Sequence, residues 1–422
     1  MAESDAAPSL PASSLAAAPR GFLLGLSLAQ LISWGSTFYL FGLLVQPIEA
    51  ALRIDRTQSS LGFSLMLLAE GAAALPVGRL IDRGYARLVM SVGSVLVALC
   101  LLAHTQVTSL AGFYAVWLCL GLSLSCVLYT PIFAVVTRRF PQDFRRAIIT
   151  LTFLGGLAST VFIPLIQWLI SSMGWRNMLV VLAGFHLLVC MPLHWHFLRG
   201  EPKTPPRAHG LPMESVGLRS LLRSRVFWLI GAFSTLGMAV TATIPAHLVP
   251  LLQEQGLPAT WVVMVAAGIG VVQVLGRLML YRLEGHFDLH RVNLMIVLLM
   301  PVSLLVLGLL MWVAPGTGVA GPAVMALAIV FTALFGLANG MMTIVKGTAI
   351  AQYVDRQHVA SLNGALGLPQ AIGRAVTPAL VGALWGLSHS YGWGVVALLL
   401  GSVLSCAAFA GAQHLALRKK HQ

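Results

Sequence analysis

Long apolar stretches recur along this chain, and short polar segments separate them. Each stretch holds about 20 or more residues, which is the length an α-helix needs to cross the hydrocarbon core of a bilayer. The pattern therefore predicts twelve membrane-spanning helices, near residues 21–46, 59–81, 88–106, 110–137, 147–171, 177–198, 226–252, 260–281, 292–314, 322–350, 360–386 and 391–416.

The composition supports a membrane protein, and the lack of catalytic motifs argues against an enzyme. Of the 422 residues, 58% are hydrophobic and 9% are charged, which excludes an ordinary water-soluble globule. The five cysteines lie in predicted spans and lack the spacing of a zinc site or a disulfide framework. Neither a phosphate-binding Gly-x-x-x-x-Gly-Lys loop nor a nucleophile elbow occurs in the sequence. We expect no enzymatic activity, no cofactor and no metal.

The basic residues predict the orientation of the chain in the membrane. The two termini and the connections after even-numbered spans carry 20 of the 26 Lys and Arg residues, whereas the other connections carry Arg53, Arg56 and Arg176. Because Lys and Arg accumulate in cytoplasmic loops, both termini are predicted to be cytoplasmic, in an inner or plasma membrane. The net charge of +13 follows mostly from this asymmetry, so we expect no nucleic-acid partner.

One long polar connection, rich in Pro and Arg, divides the spans six and six. We expect a linker there, and we expect the first residues, which have no cleavable signal pattern, to form a disordered tail. The predicted domains are a cytoplasmic tail at 1–19, a six-helix bundle at 20–198, a cytoplasmic linker at 199–225, a second bundle at 226–417 and a basic tail at 418–422.

The two halves share sequence features that indicate a duplication. Met173-Gly174-Trp175 recurs as Tyr391-Gly392-Trp393, each just before the last span of its half. Transporters built from such repeats place their site at the interface between the repeats, near the membrane midplane.

A family resemblance rests on the loop after the second span. Residues 78–84 read Gly-Arg-Leu-Ile-Asp-Arg-Gly and resemble the conserved loop motif of the major facilitator superfamily. The resemblance implies an all-α fold of two pseudo-symmetric six-helix bundles that alternate access, and we expect a monomer. Gly78, Asp82 and Arg83 would form a conformational latch between helix ends; the alternative is a solvated loop that only satisfies the positive-inside rule. The corresponding loop, 281–285, lacks the leading Gly and the Asp.

Apart from Arg79, which is counted with the connection that follows it, only four charged residues lie inside the predicted spans: Glu70, Arg277, Lys346 and Arg374. Three cations against one acid predict a site for an anion, because charge inside a membrane is costly. Arg374 lies roughly 20 Å into its span, too deep to reach water, and could bind a carboxylate through two parallel hydrogen bonds or form a permanent ion pair. Arg277 and Lys346 are shallower candidates. Either could extend to the membrane surface instead, which we favour for Lys346.

Further candidates for substrate binding follow from position. Cations at Arg277 and Arg374 are similar to those with which the monocarboxylate transporter and oxalate/formate antiporter branch holds carboxylates. Gln273 lies one turn from Arg277 on the same helix face. Tyr129 offers a hydroxyl where Pro131 frees a backbone carbonyl.

Proton coupling has two candidates. Glu70 matches Gln273 in the other half, and the resemblance implies that spans two and eleven face each other, so Glu70 could pair with Arg374. We hypothesise that protonation of Glu70 frees Arg374 for a carboxylate; the rival is a static ion pair that locks two helices. His247 could also titrate, although a lone His in an apolar helix is more often a packing residue.

The sequence thus predicts a secondary transporter that moves a small organic anion with protons. An alternative from the same fold is proton-driven export of a hydrophobic drug or metabolite. Span five lacks the Gly-Pro signature of many drug exporters, which counts modestly against export. A transport-inactive membrane sensor is a third alternative.

Overall fold

A computed structural model describes residues 21–54, 56–200, 217–283, 286–314 and 320–418. All regular secondary structure in these ranges is helical. The predicted tail at 1–19 lies outside the described residues, as do 201–216 of the predicted linker and 419–422 of the basic tail. The fold class expected from the apolar pattern, an all-α membrane protein, is confirmed for the part of the chain that is described.

Among the described residues, the first half contains nine α-helices: α1 (Phe22–Ser33), α2 (Leu40–Leu52), α3 (Arg56–Leu80), α4 (Ala86–Thr105), α5 (Leu110–Val127), α6 (Tyr129–Arg139), α7 (Phe144–Gly155), α8 (Ala158–Phe185) and α9 (Met191–Phe197). Three π-helical turns interrupt them, at Trp34–Phe38, Ile81–Tyr85 and His186–Cys190.

Eight helices of the described chain form the second half: α10 (Leu218–Leu221), α11 (Arg225–Glu254), α12 (Ala259–Leu283), α13 (Leu289–Val313), α14 (Pro322–Tyr353), α15 (Val359–Ala365), α16 (Gly367–Ser388) and α17 (Gly392–Arg418). The short helix α10 lies inside the predicted linker.

Ten helical stretches in the described residues are long and apolar enough to cross a membrane, against twelve predicted spans. Two of the ten, Gln58–Thr105 and Phe144–Phe197, have 48 and 54 residues, about twice the length that one crossing needs. Each contains a kink at a glycine with positive φ, Gly84 at 87° and Gly174 at 79°. Residues with a Cβ rarely adopt this backbone conformation, so glycine is required at both kinks.

Contacts between helix ends define one end of the bundle. Phe22 at the start of α1 packs on Phe140, with ring centroids 5.8 Å apart. Near the end of α17, Gln413 Nε2 donates to the His290 carbonyl at 2.8 Å. We call this end, where α1 begins and α17 ends, the terminal end. It also carries the Asp82 loop.

Burial changes along α16. Between Arg374 and Ser388 only Val381 is buried, so most sides of this segment lack close packing against other helices. At the terminal end, by contrast, α15 is buried at most of its positions. The two halves therefore pack closely at the terminal end and less closely beyond Arg374.

Candidate functional site

The centre of the site is an ion pair between the two halves. Arg374 on α16 lies 3.3 Å from Glu70 on α3, measured from Nη2 to Oε2, and the side chains are 13% and 19% exposed. The sequence-predicted pairing is therefore present. Arg374 Nε is buried and has no hydrogen-bond partner among the described residues. The guanidinium keeps donor capacity that Glu70 does not use.

Small residues bring α3 close enough to α16 for this pair to form. A methyl group at Gly71 would lie 2.8 Å from the Gly367 carbonyl oxygen and 2.9 Å from the Ala371 side chain. Close helix approach through small residues is the usual packing solution inside membranes. It places Glu70, which directly precedes Gly71, within reach of Arg374, which lies three residues after Ala371.

Arg277 lies between the halves rather than at the membrane surface. Its side chain is 5% exposed, with Nε donating to the Gly340 carbonyl at 3.4 Å and Nη1 donating to the Thr152 carbonyl at 3.2 Å. Thr152 belongs to α7 of the first half. A methyl group at Gly156 would overlap the guanidinium, so this glycine makes the space. The alternative that Arg277 extends to the surface is wrong because its helix face points inward.

Tyr129 faces the same space as Arg277. Its ring packs on Trp34 and stacks on Phe133, both with centroids 5.0 Å apart, and it interacts electrostatically with Arg277. The Trp34 Nε1 group is buried and unpaired among the described residues. An aromatic wall with a hydroxyl and a free indole N–H thus stands beside the arginine.

The carbonyl group that Pro131 frees is already occupied. Gln30 Nε2 donates to the Val127 carbonyl at 2.7 Å, and Gln30 is fully buried. Sequence reasoning missed Gln30. A polar residue in the middle of the first apolar stretch was the available signal, since a buried amide needs partners.

Gln273 and Lys346 complete the site from the second half. Asn339 Nδ2 donates to Gln273 Oε1 at 3.2 Å, so Gln273 is bonded within its own half. Lys346 is half-buried and interacts electrostatically with Arg374. Snorkelling of Lys346, which we favoured, is wrong because its ammonium group faces the interface. The described residues offer it no hydrogen bond or ion pair.

His247 on α11 lies beside Pro378, which is one helical turn beyond Arg374 on α16. Its Nε2 is 2.9 Å from the Pro378 carbonyl and its Nδ1 is 3.5 Å from the Tyr391 hydroxyl. Both ring nitrogens thus have partners, which fits a hydrogen-bonded packing residue.

Asp82 connects the two halves at the terminal end. It is 7% exposed and accepts hydrogen bonds from the backbone N–H groups of Ala360, at 3.2 Å, and Ser361, at 2.7 Å. These are free N–H groups at the start of α15, where a carboxylate is favoured. Gly78 allows this approach, because a methyl group there would overlap the Ala360 carbonyl.

The cation beside Asp82 is Arg138, not Arg83. Arg138 Nη1 lies 3.3 Å from Asp82 Oδ1, whereas Arg83 is exposed and makes no hydrogen bond within the described part of the chain. Arg83 therefore does not belong to the latch contacts in this conformation. Arg138 is the next-to-last residue of α6 and reaches Asp82 across 56 positions of sequence. Nothing in the motif itself points to it.

Other contacts close the terminal end. Arg145 Nη1 donates to Asn293 Oδ1 at 2.7 Å, which joins α7 to α13. Arg356, in the connection between α14 and α15, donates to the Pro141 carbonyl at 3.1 Å. These contacts join the two halves at the terminal end.

Between the halves, Arg374 thus lies with Glu70 and interacts with Lys346, and Arg277 lies beside the aromatic wall. No group of three or more His, Cys, Asp or Glu that could hold a metal occurs among the described residues. The chemistry of the site is the binding of charge and of flat apolar groups.

Comparison with known proteins decides the family. The family model described as Major Facilitator Superfamily matches residues 26–328. The chain belongs to the Major Facilitator Superfamily. It is a multi-pass membrane transporter of that superfamily and not an enzyme.

Individual superfamily members resemble the chain in different ways. Monocarboxylate transporter 11 of Mus musculus is 29% identical over 336 residues, covering 74% of this chain and 71% of the mouse protein. Multidrug resistance protein MdtL of Klebsiella pneumoniae is 27% identical over 247 residues, covering 56% of this chain and 59% of that protein. The solved structure of the E. coli fucose:proton symporter has a TM-score of 0.71 at 13% identity, covering 95% of this chain and 99% of that chain. This last likeness shows the fold.

Proposed function

We propose that this protein moves a small organic anion, a carboxylate, together with a proton by alternating access. The observation that carries the proposal is Arg374, a guanidinium between the two halves with one partner and an unused buried donor. A carboxylate could accept hydrogen bonds from it in the bidentate geometry that arginine favours.

The charge balance around Arg374 supports an anionic cargo. Arg277 is held by two neutral carbonyl oxygens, and Lys346 has no acid within the described residues. Glu70 neutralises one of the three cations. Charge left unneutralised in a membrane is unfavourable, so binding an anion lowers the free energy of the site.

Glu70 supports the coupling to a proton. While Glu70 is ionised it competes with the cargo for Arg374, and protonation removes that competition. The bound anion and the proton would then cross together, because a neutralised site has a lower barrier to reorientation of the halves. Arg277, Tyr129, Gln273 and Lys346 would contact the cargo. His247 remains a weaker proton candidate.

The same proposal includes twelve crossings in two six-helix bundles, with both termini in the cytoplasm. Each of the two long helical stretches, of 48 and 54 residues, would count as two crossings that meet near Gly84 and Gly174. The terminal end would then face the cytoplasm. This orientation is tested by replacing exposed Arg79 or exposed Leu387 with a single cysteine and labelling it from outside intact cells.

A thermal-shift screen of the purified protein tests the cargo. Monocarboxylates, dicarboxylates, neutral metabolites and cationic dyes are compared for wild type and for Arg374→Gln. We expect a rise in Tm with carboxylates alone, since a ligand stabilises the state that it binds, and no rise in the variant. Arg282→Gln, an exposed arginine on α12, is the control. Stabilisation by dyes but not by carboxylates would refute the proposal.

Export of a hydrophobic drug or metabolite is a second candidate. The aromatic wall of Trp34, Tyr129 and Phe133 and the similarity to MdtL favour it. The same screen separates the two, because a hydrophobic cargo needs the wall and not Arg374. Tyr129→Ala would then remove the thermal shift that Arg374→Gln retains.

A further inference from the structure

A second basic site lies away from the interface between the halves. A groove of about 860 Å³ runs between α13 and α17 at the terminal end. His290, Arg291 and His414 contribute its basic groups, and Leu294, Ala410 and Leu417 line it with apolar surface. The transport site does not include any of these residues.

The polar part of the groove favours an anion. Arg291 and His414 are exposed, so their side chains are available to a ligand. The acid in the lining, Asp288, is the N-cap of α13 and accepts from the Arg291 backbone N–H at 2.9 Å. The positive end of the α13 helix dipole points the same way. The Asp288 carboxylate is thus engaged locally, which leaves the exposed side chains of Arg291 and His414 as hydrogen-bond donors for a ligand.

Apolar stripes continue from the groove along both helices. On α13, Met295, Leu298 and Leu305 are 65%, 44% and 56% exposed, at helical spacing from Arg291. On α17, Val403 and Leu400 are 48% and 59% exposed, on the face that carries His414. A free phosphate ion would use only the basic part. A ligand with acyl chains would use both parts.

We propose that this groove binds the headgroup of an anionic phospholipid, whose acyl chains lie along α13 and α17. The groove lies at the ends of Leu289–Val313 and Gly392–Arg418, two helices long and apolar enough to cross a membrane, and lipid headgroups are expected at such helix ends. Basic pockets between helix ends are suited to such headgroups. The proposal holds whichever cargo the transporter moves.

The groove wall is connected to a contact between the halves. His290 Nδ1 lies 3.0 Å from the Tyr353 hydroxyl, to which Asn293 Nδ2 donates at 3.2 Å. Asn293 accepts from Arg145 of the first half at 2.7 Å. A headgroup that fixes His290 therefore also fixes the residues that hold Arg145. We expect the bound lipid to stabilise the closed terminal end.

The proposal is tested by titrating delipidated full-length protein with phosphatidylglycerol or phosphatidylcholine. Lipid binding is followed by native mass spectrometry, and stability is followed by Tm. We expect phosphatidylglycerol to bind more tightly and to raise Tm. Arg291→Gln should weaken its binding about fivefold, the effect of one surface cation on an anionic lipid. Arg291→Lys should restore binding, and His414→Gln should weaken it further.

The matched control is Arg282→Gln, which removes an exposed arginine outside the groove in the same half. Equal loss of phosphatidylglycerol binding in Arg282→Gln and Arg291→Gln would overturn the proposal in favour of unspecific attraction. Equal binding of the two lipids would also overturn it. Inorganic phosphate is a third arm, and a rise in Tm with phosphate equal to that with the lipid would show a free-anion site instead.

Discussion

The two interfaces between the halves are built differently. Where α3 meets α15 and α16, glycines allow close contact, Glu70 neutralises Arg374 and Asp82 binds the start of α15. Where α7 meets α12, Arg277 rests on neutral carbonyl groups. Both acids that connect the halves thus lie on one interface. At the other interface Arg277 has no acid partner within the described residues, so it adds positive charge beside the carboxylate that we propose Arg374 binds.

One pair of equivalent positions shows how the asymmetry arises. The repeat predicts that Glu70 and Gln273 correspond, yet Glu70 reaches across to Arg374 while Gln273 accepts from Asn339 in its own half. An amide cannot neutralise a cation or release a proton. We therefore expect the proposed proton coupling to involve the interface of Glu70 and not that of Gln273.

Removal of one ion-pair partner should have the largest effect. Arg374→Gln leaves Glu70 without its cation, and we expect it to lower the free energy of unfolding by about 3 kcal/mol. The double variant with Glu70→Gln should recover most of this loss, because no unpaired charge remains. Thermal and denaturant unfolding in detergent measure both. A double variant no more stable than Arg374→Gln would contradict the pair.

The close contact at Gly78 should be the next most sensitive position. Gly78→Val would push its side chain into the Ala360 carbonyl, and overpacking of this kind costs about 1–3 kcal/mol. We expect the terminal end to open. Spin labels at exposed Arg79 and Gln357, in a background without native cysteines, measure the distance across it.

Gly308→Val is the matched control for this substitution. Gly308 lies in α13 and has no atom within 4 Å of the position that a Cβ would occupy. The label distance should not change in this variant. A Gly78→Val distance distribution that also stays at the wild-type value would show that α3 and α15 are not in close contact.

Substitutions around Asp82 should separate the true latch contacts from the sequence motif. Asp82→Asn weakens the bonds to Ala360 and Ser361, at a cost of about 1–2 kcal/mol typical of a helix cap. Arg138→Gln should have a smaller effect of the same sign. Arg83→Gln should leave the label distance unchanged. If Arg83→Gln opened the terminal end more than Arg138→Gln, the assignment of the cation would be reversed.

Sequence alone predicted the family, the helical fold and the pairing of Glu70 with Arg374. The family and the fold follow from hydrophobicity and a local motif, and the pairing follows from the arrangement of spans two and eleven that the family resemblance implies. The position of Lys346 was misjudged and that of Arg277 was left open, because distance from a helix end says nothing about the direction in which a side chain points. Arg138 was missed since its contact with Asp82 joins elements far apart in sequence.

The smallest expected effect is a pH dependence of the closed terminal end. His358, in the connection before α15, lies 2.9 Å from Asp355, and this hydrogen bond raises the pKa of His358 above its usual 6.5. Protonated His358 therefore contributes stability that is fully present below pH 6.5 and is lost as pH rises through the raised pKa. Burial alone would raise the pKa of Asp355, but its hydrogen bonds outweigh burial and lower it, so Asp355 stays ionised throughout this range.

We expect the Arg79–Gln357 label distance to lengthen slightly between pH 6 and pH 8, with a free-energy change of about 0.5 kcal/mol because the pair is partly solvated. His358→Gln should remove the dependence. His389→Gln, in the connection between α16 and α17, is the control and should keep it. A pH response that survives in His358→Gln and disappears in Glu70→Gln would instead assign it to the ion pair at the transport site. That outcome would connect the proton on α3 to closure at the terminal end, along the interface that carries both acids.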